Sequence, residues 1–170
     1  MGQQSLHHPL GLSAVAASSE AASARPFGNP SGSSSSYGGN PLAAAAGRAA
    51  LEIIMGENLV GNARRVGDMM METLKDFQQQ CSLIGDVRGR GLMIGVELVR
   101  DRKSRAPLEK KFTRPLFHEC LNRGLISMCY TSNIRINPPL VITEDEAAEG
   151  LEILMKALKV IEARVVIEGG

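Results

Sequence analysis

The sequence predicts an α+β domain: a small antiparallel-type sheet with helices packed on one side. Three observations predict it. Leu59, Ala63, Val66, Met70, Leu74 and Phe77 recur at three- and four-residue steps, the apolar stripe of an amphipathic helix. The run Leu92-Met93-Ile94-Gly95-Val96-Glu97-Leu98 after Gly91 reads as a turn and a well-buried strand. Thr143-Glu144-Asp145-Glu146 is a capping box that opens a last helix.

Residues 1–39 are rich in Ser, Ala, Gly and Pro and contain no Lys. Ser31 to Gly39 has the composition of a flexible linker, so the segment is expected to be mostly irregular. Only Leu12-Ser13-Ala14-Val15-Ala16-Ala17 has the character of a short buried element. Asn40-Pro41 then opens a helix: Asn caps the free amides, and Pro at the first helical position has no amide to leave unpaired. Its Ala-rich body, Leu42 to Leu51, is small on every face and predicts close burial. Gly56 interrupts it, and the striped second helix runs from about Glu57 to Gln80. The Met69-Met70-Met71 run reads as core filling.

Strands are expected at Leu83–Val87 and 91–98, followed by a charged, exposed connection over Arg100–Arg105. A helix over Pro107–Arg123 ends at Gly124. Leu125–Met128 and Asn133–Ile136 are short strands, and the last helix reaches about Arg164 with Leu151, Leu154, Met155, Leu158 and Ile161 inward.

Composition excludes several classes. Among 170 residues, 44% are apolar but only 4% aromatic, with no Trp, so aliphatic side chains and Met must fill the core. A net charge of +1 does not suit a strongly basic nucleic-acid binder. No apolar run approaches the length of a membrane span, and no secretory signal opens the chain. Cys81, Cys120 and Cys129 fit neither a disulfide framework nor a metal site and suit a reducing compartment. The expected setting is soluble and cytoplasmic, without nucleic acid, membrane or metal.

Most motifs fail their chemical tests. Arg88-Gly89-Arg90-Gly91 lacks the third glycine of a dinucleotide loop, where Ile94 stands, and it enters a strand rather than leaving one. Gly32-Ser33-Ser34-Ser35-Ser36 has no following Lys for a phosphate loop. His7-His8 has no carboxylate or Cys at ligand spacing, and His118 reads as a surface or packing residue. Two features remain. Ser35-Ser36-Tyr37-Gly38-Gly39-Asn40-Pro41 enters a helix, which suits either a bound anion or a simply capped loop. In Asn133-Ile134-Arg135-Ile136-Asn137-Pro138-Pro139-Leu140 one Arg stands between apolar residues just before a rigid Pro-Pro. Its guanidinium needs a carboxylate, internal or from a ligand.

Together these segments resemble the C-terminal part of class III aminotransferases, the pyridoxal-phosphate family of ornithine, acetylornithine, 4-aminobutyrate and other ω-amino-acid transaminases. The resemblance rests on Ser36 to Ala43, Val87 to Leu98 and Ile134 to Thr143, in order and spacing, and extends from about residue 12 to 164. It implies a fold-type I homodimer with active sites at the subunit interface. It also implies transamination between an amino acid or ω-amino acid and a 2-oxo acid. Residues 1–39 then correspond to a remnant of the large cofactor domain, 40–80 to inter-domain helices, 81–166 to the small C-terminal domain and 167–170 to a tail. Ser36 takes the place of the hydroxyl residue that reaches the cofactor phosphate of the neighbouring subunit, and Arg135 that of the Arg pairing with a substrate carboxylate. The 88–98 stretch is structural in the family.

The chain departs from the family at one decisive place. Transamination needs a Lys to hold the cofactor aldehyde and move the substrate proton. Counting back from Leu12-Ser13-Ala14-Val15, the corresponding position is Gln4, and the first Lys is Lys75. No catalytic residue is therefore assigned. The chain is expected to be a C-terminal fragment or truncated copy, inactive alone. The competing expectation is a non-enzymatic module that binds a partner subunit through its Ala-rich helix.

Overall fold

A computed structural model describes residues 16–32, 35, 36 and 38–169. The chain divides into two compact units, Met1–Glu57 and Asn58–Gly170. The short element expected at 12–17 lies mostly outside the described residues, as do Gln4, His7, His8 and Tyr37.

The first unit holds a five-residue helix α1 (Ser19–Ser23) and helix α2 (Pro41–Gly56). The entry to α2 is the expected one: Asn40 Oδ1 accepts from the amides of Leu42 at 2.9 Å and Ala43 at 3.2 Å, and Pro41 fills the first turn. Its expected burial is not found. Only Gly47 is buried, while Leu42, Leu51, Ile53 and Met55 are all exposed. Among the described residues every buried apolar side chain belongs to the second unit, because a stretch dominated by Ser, Ala and Gly brings too little apolar surface to build a core.

The second unit runs α3 (Leu59–Gln80), β1 (Ile84–Arg90), β2 (Met93–Asp101), β3 (Ala106–Pro107), α4 (Lys110–Asn122), β4 (Asn133–Ile136) and α5 (Glu144–Gly169). Strand β2 is central. It pairs antiparallel with β1, and also with β4 and β3. Alternation along β2 buries Ile94, Val96 and Leu98 on one face. Helix α3 packs on β1, β2 and α5, and α5 on α4. Their stripes, Val66, Met70, Leu74 and Phe77, then Phe112, Leu116 and Cys120, then Leu151, Leu154, Leu158 and Ile161, fill one core on that face. Met69 and Met71 pack at its edge, so the Met run fills core as expected.

Boundaries shift for identifiable reasons. Arg88-Gly89-Arg90 belongs to β1, not to the turn; Gly91 makes the turn at φ +54°. At Gly67 an added Cβ would lie 2.2 Å from the Gly91 carbonyl carbon, so α3 rests backbone to backbone on this hairpin. Helix α4 starts at Lys110 because Pro107 pairs with Val99 and Glu109 is extended. The expected strand at 125–128 reduces to one bridge, Met128 to Arg135; Ile126 finds no partner and is 84% exposed. The 100–105 connection is not merely exposed charge. Arg102 donates to the carbonyls of Cys81 at 2.7 Å, Ile84 at 3.1 Å and Gln78, closing the end of α3. Helix α5 outruns its expected end because Val165 packs inward and Lys111 meets Glu168 at 2.6 Å. Its capping box forms: Thr143 Oγ1 accepts from the Glu146 amide at 3.2 Å, and Glu146 accepts from the Thr143 amide at 2.9 Å.

Candidate functional site

The residues singled out by sequence fall in the two units, and each is described within its own. In the first unit Ser36 is exposed in a turn closed by the Gly38 amide on the Ser35 carbonyl at 3.1 Å, with Gly39 at φ +78°. The turn is a capped loop. Of the first amides of α2, those of Leu42 and Ala43 are held by Asn40 Oδ1, that of Ala44 by the Asn40 carbonyl, and Pro41 has none. Those amides are not free for an anion. Among the described side chains of this turn, the Ser36 hydroxyl is the one that the resemblance points toward a phosphate, and residues 1–57 contain no Lys to take an aldehyde. Without a Lys, the described residues of this unit do not by themselves fit a resident pyridoxal phosphate; they fit a contact to a cofactor held elsewhere.

In the second unit Arg135 lies at the middle of β4. Ile134 before it is fully buried and Ile136 after it packs at the core edge, so alternation sends Arg135 to the opposite, outer face of the sheet. The guanidinium is exposed and has no ion pair or hydrogen bond among the described residues. Register builds a row around it. Arg135 is opposite Gly95 of β2, and Gly95 is opposite Arg88 of β1. Two arginines thus flank a strand position without a side chain, where a Cβ would lie 3.9 Å from Arg88 Cγ. The next row sets Asp86, Glu97 and Asn133 side by side. Asp86 meets Arg88 at 2.7 Å, and Glu97 pairs with Arg105. The acids of this face are therefore already partnered, while Arg135 is not. Arg90, toward the hairpin, is a further cation on the same sheet with no ion pair among the described residues.

The strand end is held firmly. After Pro138-Pro139, the Leu140 and Ile142 carbonyls accept from Asn62 Nδ2 on α3 at 2.8 and 2.9 Å, and Arg65 pairs with Glu144. Arg135 is thus an exposed cation on a braced strand, suited to meet a carboxylate without reorganising the backbone. Sequence reading missed Arg88 as its neighbour across Gly95. The signal was available only once the β1–β2 register was known.

His118 is exposed on α4, edge-on to Phe117 at 5.5 Å, in agreement with a surface role. Among the described residues no group of three or more His, Cys, Asp or Glu is placed to hold a metal, and no helix is long and apolar enough to cross a membrane. An open groove of about 740 Å³ between α3 and α5, lined by Phe77, Met155, Val160, Lys156 and Lys159, belongs to the helical side, away from Arg135.

The family profile described as aminotransferase class-III matches residues 6–158. The chain belongs to the class III aminotransferases. It is 38% identical over 125 residues to the mitochondrial alanine–glyoxylate aminotransferase 2 of Pongo abelii, covering 72% of this chain and 24% of that protein. It is 43% identical over 123 residues to an alanine/serine racemase of Pyrococcus horikoshii, covering 71% and 25%. Among solved structures, a Bacillus anthracis aminotransferase superposes with a TM-score of 0.68 at 34% identity, over 73% of this chain and 29% of that one. A transaminase solved with L-alanine gives 0.68 at 33% identity, over 74% and 30%. The chain spans about a quarter of the length of the curated relatives it matches.

Proposed function

We propose that the chain supplies the substrate-binding small domain of a pyridoxal-phosphate-dependent aminotransferase, which exchanges an amino group between an amino acid or ω-amino acid and a 2-oxo acid. The observation that carries this reading is the unpartnered guanidinium of Arg135 on the braced end of β4. In this reading Arg135 holds a substrate carboxylate with its planar fork. The Ser36 hydroxyl reaches the phosphate of a cofactor held by the neighbouring subunit of a cytoplasmic homodimer. The division into a large-domain remnant at 1–39, inter-domain helices at 40–80 and a small domain at 81–166 is part of the same proposal. Alanine, named in both relatives, and serine, named in one, are the first donors to try.

The test places Arg→Lys at the equivalent position of an active full-length relative. Charge is kept and the two-pronged geometry is lost. The apparent KM for carboxylate-bearing substrates should rise by about 1.5–3 kcal/mol in binding terms, the worth of a charge-assisted hydrogen bond. Amines lacking a carboxylate should change far less, and an equal effect on both classes removes the role.

A second reading, a non-enzymatic module binding a partner subunit through α2, is favoured by the exposure of Leu51, Ile53 and Met55. Co-assembly with a lysine-bearing large domain separates the two. Visible cofactor absorbance that borohydride fixes on a lysine belongs to the enzyme, and its absence from such an assembly to the module.

A further inference from the structure

The three cysteines are not equivalent. Cys81 stands by itself at the end of α3, whereas Cys120 and Cys129 lie sulfur to sulfur at 3.8 Å, both fully buried. Cys120 is in the last turn of α4, and Cys129 in the irregular segment leading to β4. The two backbones are fixed on both sides of the pair. The Leu125 amide donates to the Cys120 carbonyl at 2.9 Å, and Thr113 Oγ1, also on α4, donates to the Tyr130 carbonyl at 2.8 Å. The sulfurs are held at contact distance, and forming a disulfide requires them to close to roughly 2.05 Å.

We propose that Cys120 and Cys129 form a dithiol that a hydroperoxide oxidises to a disulfide, stapling α4 to the segment that leads into β4. The two thiols have distinct roles. The Cys120 S–H can donate to a Cys129 thiolate, which holds the Cys129 thiol below its ordinary value against the opposing effect of burial; the Ser127 hydroxyl adds to this. The same interaction, together with burial, pushes the Cys120 thiol up. In the proposed step Cys129 attacks and Cys120 resolves, an order that the single-serine variants test. The Cys129 thiolate attacks one peroxide oxygen: an S–O bond forms, the O–O bond breaks, and the leaving oxyanion takes a proton. Cys120 sulfur then attacks the sulfenic sulfur of Cys129. The S–O bond breaks and hydroxide leaves with the Cys120 proton as water. Two thiols lose two protons and two electrons, and the peroxide is reduced to water and an alcohol, or to two waters from hydrogen peroxide.

Access selects the oxidant. Cys129 is fully buried, while its chain neighbours Met128 and Tyr130 are 56% and 43% exposed, so a small peroxide is favoured over a bulky thiol reagent. The consequence reaches the sheet. Met128, adjacent to Cys129, bridges to Arg135, so the disulfide would tether the strand that carries the free guanidinium.

The 170-residue chain, folded and treated with graded hydrogen peroxide, is then denatured and its thiols counted. The count should fall from three to one. The product should have lost the mass of two hydrogens, with a Cys120–Cys129 cross-linked peptide that dithiothreitol reverses and a melting midpoint raised by a few degrees. Cys120→Ser should stop at a sulfenic acid on Cys129 that dimedone traps, while Cys129→Ser should keep its remaining thiols. If the serine variants do not fold, the alanine variants serve, and the wild-type peptide map already decides the pairing. Equal loss of Cys81, or no cross-link at peroxide concentrations that consume free cysteine, overturns the proposal.

Discussion

Arg135 and Glu162 show how differently two charged residues behave on one small domain. The Arg135 guanidinium has no described partner, so Arg135→Ala in this chain should leave the stability within about 0.5 kcal/mol of wild type, the usual scatter of an exposed position, and the melting midpoint nearly unshifted. Differential scanning calorimetry checks this; unfolding would make Arg135 a structural ion-pair residue. Glu162 is the contrary case. It accepts from the Ser82 amide at 2.5 Å, the Ser82 hydroxyl at 2.7 Å and Lys159 at 2.9 Å, joining α5 to the turn before β1. Burial pushes its carboxyl up, but the hydrogen bonds from Lys159 and Ser82 outweigh it and hold the group below its ordinary value. Because the folded-state value is the lower one, the ionised form stabilises the fold above the unfolded-state value near 4, and that stability is lost as pH falls through the folded value. Glu162→Gln should therefore cost about 1.5–3 kcal/mol at neutral pH, shrinking toward zero in acid, read from urea titrations across pH. A pH-independent deficit would contradict the assignment. Arg135 was legible in the sequence because an Arg between two isoleucines on a strand has to face away from the core. Glu162 was not, because its partner Ser82 is remote in sequence and is brought there by packing.

At the scale of the elements, local chemistry announced what it controls and nothing more. The Asn40-Pro41 entry and the Thr143–Glu146 box were readable because a cap is settled within four residues. The stripe of α3 was readable for the same reason of periodicity. The 125–128 strand was misread because a strand needs a partner along its length, and β4 offers that stretch only the Met128–Arg135 bridge. The glycines are the sharpest test of the packing. At Gly67 the three atoms nearest an added Cβ are backbone atoms of Gly91, from 2.2 to 2.5 Å, so α3 must lift from the β1–β2 hairpin. Gly67→Ala should cost about 1–3 kcal/mol despite alanine's better helix propensity. At Gly95 the nearest atoms are 3.8 Å away, an ordinary contact. Gly95→Ala should be neutral or stabilise by roughly 0.4–1 kcal/mol through the unfolded chain. Guanidinium titrations of the pair check both, and a harmless Gly67→Ala would mean that helix and hairpin do not touch as described.

For the whole molecule, two expectations follow from what the 170 residues contain. The first Lys is Lys75, on α3, so the isolated chain with added pyridoxal phosphate, several ω-amino donors and a keto acid should form no product above the buffer blank. Clear turnover would require a catalytic group that neither motif nor geometry identifies. The second expectation concerns association. A helix that is small and apolar nearly all round, with only the Arg48–Glu52 pair charged, belongs in an interior. Yet α2 leaves Leu42 64%, Leu51 49%, Ile53 51% and Met55 76% exposed, with alanines between them that let another backbone approach closely. Apolar side chains left exposed on two sides of one helix favour self-association. Light scattering over a concentration series should therefore show the isolated chain forming dimers or larger species. Ile53→Glu with Met55→Glu should move the distribution toward monomer, because each charge would have to be desolvated against a second copy. Salt provides the control: an association driven by burial persists or strengthens in sulfate, whereas one driven by the charged face of the sheet weakens as ions screen it. A monomer whose size does not change with concentration would show that the exposed face of α2 does not drive association.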